Sequence, residues 1–177
     1  MNHSDMITFI GNLDDSEASQ VLRVLLNDNP NLLRKTYDIA LNVANDVDAD
    51  TIANQVFNSL ESLDLDDLNN YGRSMYGYVE PTEAAFELFE ETIYPFVNEM
   101  KANHSRSLPA VAKTFCIGII KGLWRYESES TSDFSGWVED VPFNYIDTVI
   151  EEWKKGNPDD ADVNEIMGLV NEHYSDE

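Results

Sequence analysis

The sequence has one cysteine, few basic residues and no long apolar run, and each shortage removes a class of protein from consideration. A lone thiol, Cys116, leaves no partner for an intramolecular disulfide, so nothing in the chain calls for an oxidising compartment. Lys and Arg number eleven against 34 Asp and Glu, a formal net charge of −23. Neutralising a nucleic-acid backbone needs clustered cations, and these eleven are scattered along the chain. Nucleic acid and anionic membranes are therefore not expected as partners. The most apolar stretch, residues 111–124, carries Lys113 and Lys121 and is too short and too charged to span a bilayer. The start, Met1-Asn2-His3-Ser4-Asp5, lacks the basic and apolar segments of a secretory signal, so the expected location is the cytoplasm.

Strand patterning is missing too. No stretch alternates apolar and polar residues over four or more positions with β-branched enrichment, so no sheet is predicted. What is present is apolar and aromatic material for one core: 42 % hydrophobic residues, with eight Phe, eight Tyr and three Trp in 177 residues. The fold class read from this is all-α: one domain over residues 1–177, a bundle of about seven helices arranged as antiparallel helical hairpins, with ends at 1–13 and 174–177 free to fray.

Helix start signals punctuate the chain. Asp14 and its neighbours cap a first helix with Val21, Leu22, Leu25 and Leu26 on its apolar stripe. Asn29-Pro30 opens a second, and Asp48 or Asp50 a third with Ile52, Val56 and Leu60 on one face. A short helical turn falls near residues 65–70. Pro81 opens a helix with Ala84, Ala85, Leu88 and Phe89 inward and Glu83, Glu87, Glu90 and Glu91 outward, which Pro95 must kink or end. Ser107 and Pro109 introduce the central helix, 110–126, apolar all round at residues 115–120. Pro142 begins a helix to Lys155, stopped by Gly156-Asn157-Pro158, and Asp160 caps the last, with Ile166, Leu169 and Val170 inward. The helix-opening prolines are unevenly spaced, which excludes a repeat period.

Motifs that carry chemistry are weak. Asp46-Val47-Asp48-Ala49-Asp50 opens like an EF-hand loop, but Thr51 stands where a turn glycine belongs and Phe57 where a bidentate glutamate is needed. The acids around residue 160 fail similarly, and both groups read as helix N-terminal acids favoured by the dipole. His3, His104 and His173 read as solvated caps or dipole contacts, and no Glu-x-x-His pair occurs. No metal, cofactor or catalytic residue is predicted. Cys116 reads as inert core, and Gly118 and Gly122 as permitting close approach by another helix. Phe134, Trp137, Phe143 and Tyr145 suggest a satellite cluster beneath a loop.

The remaining candidate is the loop at residues 71–80, with Tyr71, Arg73, Tyr76, Tyr78 and Glu80, joined by Arg125 on the central helix. Arg and Tyr dominate binding hot spots, so the expectation is a non-enzymatic protein-protein interaction module whose partner is another protein. An alternative is an enzyme or small-molecule binder with a polar site between helices near Arg73 and Glu80. A further alternative is an acidic mimic of nucleic acid. The acidity itself reads foremost as adaptation of the surface to salt, which screens self-repulsion over a few ångströms.

Overall fold

The computed structural model describes residues 2–45, 47–71 and 80–175. It is all-α, with nine α-helices and no strand among the described residues. Contacts group the chain into two compact units, residues 1–44 and 45–177.

The first unit holds α1 (His3–Gly11), α2 (Asp15–Asp28) and most of α3 (Pro30–Asn45). Each starts on a side-chain cap that satisfies an otherwise free amide. Asn2 and Asp5 form a reciprocal capping box at α1, Asp14 and Glu17 another at α2, and Asn29 Oδ1 accepts from the Leu32 amide at α3. The α1 helix occupies a segment expected to fray, because its cap is complete. The expected stripe of α2 is not in a core: Val21, Leu22 and Leu25 are exposed, and no described side chain of this unit is buried.

The second unit has the core. Its elements are α4 (Ala49–Glu61), α5 (Leu65–Tyr71), α6 (Pro81–Ser105), α7 (Pro109–Glu129), a 3-10 turn (Ser135–Trp137), α8 (Val141–Lys154) and α9 (Asp160–Ser175). The apolar segment of α7 is buried as its composition requires, with Cys116, Ile119, Ile120 and Leu123 fully enclosed. Ile52, Val56 and Leu60 of α4 pack on one side. Phe89, Ile93 and Met100 of α6 and Ile146, Val149, Ile150 and Trp153 of α8 complete the same core. Each such side chain contributes about 1.5–3 kcal/mol on burial. Gly118 and Gly122 let α4 come this close: a Cβ at Gly118 would lie 2.6 Å from Ile52 Cβ, and one at Gly122 2.6 Å from Val56 Cβ.

Several expectations are corrected in detail. Helix α6 runs unbroken through Pro95, which sits on its exposed side, where water can serve the Glu91 carbonyl that proline deprives of an amide. Of the two caps expected for α4, Asp48 serves, through the Thr51 amide, whereas Asp159 and not the expected Asp160 caps α9 through the Asp162 amide. The stop after α8 uses Asn157 in the left-handed region, φ 53°, while Gly156 is required by packing, because a Cβ there would overlap the His104 ring. Phe134 belongs to the main core and not to a satellite, whereas Trp137 is 43 % exposed.

Polar clamps fix the periphery. Glu61, at the end of α4, accepts from Ser130 Oγ at 2.6 Å, the Thr131 amide at 3.0 Å and Thr131 Oγ1 at 2.8 Å, holding the segment after α7. Burial works against its charge, but these hydrogen bonds prevail and hold its carboxyl below the usual range. Lys113 of α7 bridges Asp162 and Glu165 of α9, and the two carboxylates hold its ammonium above the ordinary lysine value.

Candidate functional site

Helix α6 presents Glu87, Glu90, Glu91 and Tyr94 at i, i+3, i+4 and i+7, the spacing that puts four side chains on one helical face. Pro81 at its start and the buried Ala85, Phe89 and Ile93, which turn toward the core, fix which way that face turns. Two tyrosines from other helices meet it. Tyr71 arrives at the end of α5, anchored by Leu68, and Tyr145 comes from the first turns of α8, behind Pro142.

These six side chains line a recess of about 430 Å³. Its lining is three tyrosines and three glutamates, with no basic side chain among the described residues. The Tyr71 hydroxyl donates to Glu91 Oε1 at 2.8 Å. Tyr145 is half-buried and stands edge-on to Phe89, ring centroids 5.4 Å apart at 80°, which locks its ring against the core. Tyr94, 62 % exposed, forms the rim. Burial, then the Glu91 carboxylate, push the Tyr71 hydroxyl up to about 12, and burial with Glu90 does the same for Tyr145. Both phenols therefore stay protonated at neutral pH and can donate to the carboxylates beside them.

Of the residues singled out in the sequence, Tyr71 is in this recess. Glu80 is the exposed residue before α6 and makes no side-chain cap bond. Arg73, Tyr76 and Tyr78 lie outside the described residues. Arg125 lines a different recess: its Nη1 donates to Asn54 Oδ1, its Nε and Nη2 reach Glu129, and its Cζ lies 4.6 Å from the Phe57 ring centroid. Sequence reasoning missed Glu87, Glu90, Glu91, Tyr94 and Tyr145 as a site. The α6 glutamates read as a solvated face, and nothing local says that Tyr145, more than 50 positions on, comes to lie across from them. The signal that was available is Tyr94, an aromatic on the same helical face as the three acids.

Two histidines also depart from the solvated role. The His173 ring stacks on Trp124 at 4.1 Å and 21°, and His104 is half-buried against the turn at Gly156.

The chain matches no protein-family model, no curated protein and no solved structure.

Proposed function

We propose that the chain is a non-catalytic binding module that accepts a basic side chain of a partner protein in the Tyr71, Tyr94 and Tyr145 recess. The observation that carries this reading is the lining: tyrosine rings together with carboxylates, and no basic side chain among the described residues. Ring faces attract ammonium or guanidinium groups through their quadrupole, and a carboxylate adds a charge-assisted hydrogen bond. A lysine or arginine therefore gains two kinds of contact at once, while an acidic or apolar residue gains neither. The net charge of −23 extends the attraction outward, drawing a basic partner toward the surface before contact.

The tyrosines of the recess support this reading over mimicry of nucleic acid. A mimic requires rows of acids spaced like phosphates, whereas here three of the six lining residues are tyrosines and the acids share one helical face. No helix among the described residues is long and apolar enough to cross a membrane.

Titrating the protein with a blocked lysine or arginine amide and following the tyrosine ring resonances tests the reading. Resonances of Tyr71, Tyr94 and Tyr145 should move together and saturate, and the blocked glutamine amide should leave them in place. Uniform small shifts across all tyrosines would reject the recess as the site.

A further inference from the structure

A second recess lies where α4, α7 and α9 meet, and its chemistry is the opposite of the first. Asp50, Ala53 and Asn54 come from α4, Lys121, Trp124, Arg125 and Ser128 from α7, and His173 from α9; together they enclose about 330 Å³. That is the size of a small-molecule pocket. In a chain with 34 acids and eleven Lys and Arg, Lys121, Arg125 and a histidine line this recess with one carboxylate, Asp50, among the described residues, while Arg125 also pairs at 3.2 Å with Glu129 beside it, whose side chain is 54 % exposed.

The cations are one helical turn apart on α7, so their head groups reach the same space. Lys121 Nζ lies 2.7 Å from Asp50 Oδ1, and the Lys121 and Arg125 side chains are 38 % and 37 % exposed. Asp50 is itself 70 % exposed, so this ion pair is a weak surface contact that an incoming anion exchanges readily. The wall beside them is flat: the stacked rings of Trp124 and His173, with Ala53 also in the lining. Trp124 is 8 % exposed, and its indole Nε1–H is buried without a hydrogen-bond acceptor among the described residues. A buried donor left this way is rare, because it costs the desolvation of an N–H with nothing returned.

We propose that this recess binds a small organic carboxylate carrying a flat apolar group. The carboxylate sits between Lys121 and Arg125, with the Asn54 amide at its edge, and the apolar group lies along the Trp124 and His173 rings. A bare anion gains only the first set of contacts, which long-range repulsion from the acidic chain opposes. The site is separate from the tyrosine recess, shares no lining residue with it among the described residues and stands or falls independently.

The test is a titration of the full chain with sodium benzoate, and in a second arm with sodium acetate, at constant ionic strength. Amide and indole resonances are followed, with the Trp124 Nε1–H peak assigned by Trp124→Phe. Benzoate should produce saturable shifts at Trp124, Asn54 and His173, and acetate should bind about tenfold more weakly or not at all. Lys121→Gln, the milder change, and the paired Lys121→Met, Arg125→Met variant should each weaken benzoate about tenfold or more, with unchanged helical circular dichroism. Absence of saturable shifts at those residues in the wild type overturns the proposal, whatever the variants do. Equal affinity for acetate and benzoate, or a folded Lys121→Gln that titrates like wild type, overturns it as well.

Discussion

Gly122 of α7 sits directly against Val56 of α4, so close that a Cβ on the glycine would lie 2.6 Å from Val56 Cβ and 2.9 Å from the Ala53 carbonyl oxygen. Gly118 meets Ile52 and the Ala49 carbonyl one turn away in the same manner. Two glycines four apart thus set the distance between α7, which has the most buried residues among the described helices, and its main neighbour α4.

Alanine at either glycine should therefore destabilise the protein, although alanine is the better helix former. The propensity gain is about 1 kcal/mol, while forcing a methyl into packed side chains and backbone costs about 1–3 kcal/mol, and the carbonyl oxygens cannot step aside as a flexible side chain can. Chemical denaturation of Gly118→Ala and Gly122→Ala should show lower midpoints with unchanged slopes, the double variant being the weaker of all. A stabilised Gly122→Ala would mean that α4 and α7 are not held at this distance.

His104 makes stability depend on pH above the carboxylate range. Burial lowers its pKa from the ordinary 6.5, against a hydrogen bond to the Trp153 backbone that works the other way. The folded state thus holds the neutral ring, and the unfolded chain binds the proton first as pH falls. This contribution is fully present above about 6.5 and is lost progressively below it, before the Glu61 and Glu152 carboxylates, whose folded pKa values are also lowered, begin to titrate. The melting temperature should fall between about pH 7 and 5, and His104→Gln should flatten that fall. An identical slope in both proteins would show that another group is responsible.

Much of the fold was legible because helix caps and prolines are local signals. Asp14, Asn29, Asp48, Pro81, Pro109 and Pro142 mark starts that the structure keeps to within a residue or two. The Gly118 and Gly122 pair, read as a close-approach surface, is one. What was not legible depends on distant parts of the chain. The α1 capping box of Asn2 and Asp5 is an exception, a local signal that was overlooked although Met6, Phe9 and Ile10 follow it at helical spacing. Pro95 argued for a kink or an end, and the helix does not end there: its exposed position lets water serve the carbonyl that loses its amide. The tyrosine recess was half legible: Tyr71 stood out, but the acids it meets come from a helix whose outer face looked merely solvated, and Tyr145 arrives from α8. Arg125 also stood out in the sequence; the structure bonds it to Asn54 and Glu129, in a recess that Lys121 and His173 line as well.

The acid excess gives a prediction about salt. Self-repulsion among 34 acids opposes compaction, and the Debye length shrinks from about 10 Å at 0.1 M to about 3 Å at 1 M. Melting temperature and helicity should both rise as KCl increases over that range. If the acids serve only to attract a partner and are already compensated within the fold, both should stay flat.

The central claim is that Tyr71, Tyr94, Tyr145 and the α6 glutamates form a receptor for a basic partner residue. A labelled peptide with a single lysine flanked by neutral residues, titrated by fluorescence anisotropy at low and high salt, tests it most directly. It should bind the wild type saturably, weaken steeply with salt, and lose about tenfold in affinity in Glu90→Gln and again in Tyr94→Ala, each removing one of the two kinds of contact. Binding that is equal in wild type and both variants, or equal for a peptide with glutamine in place of the lysine, would contradict it.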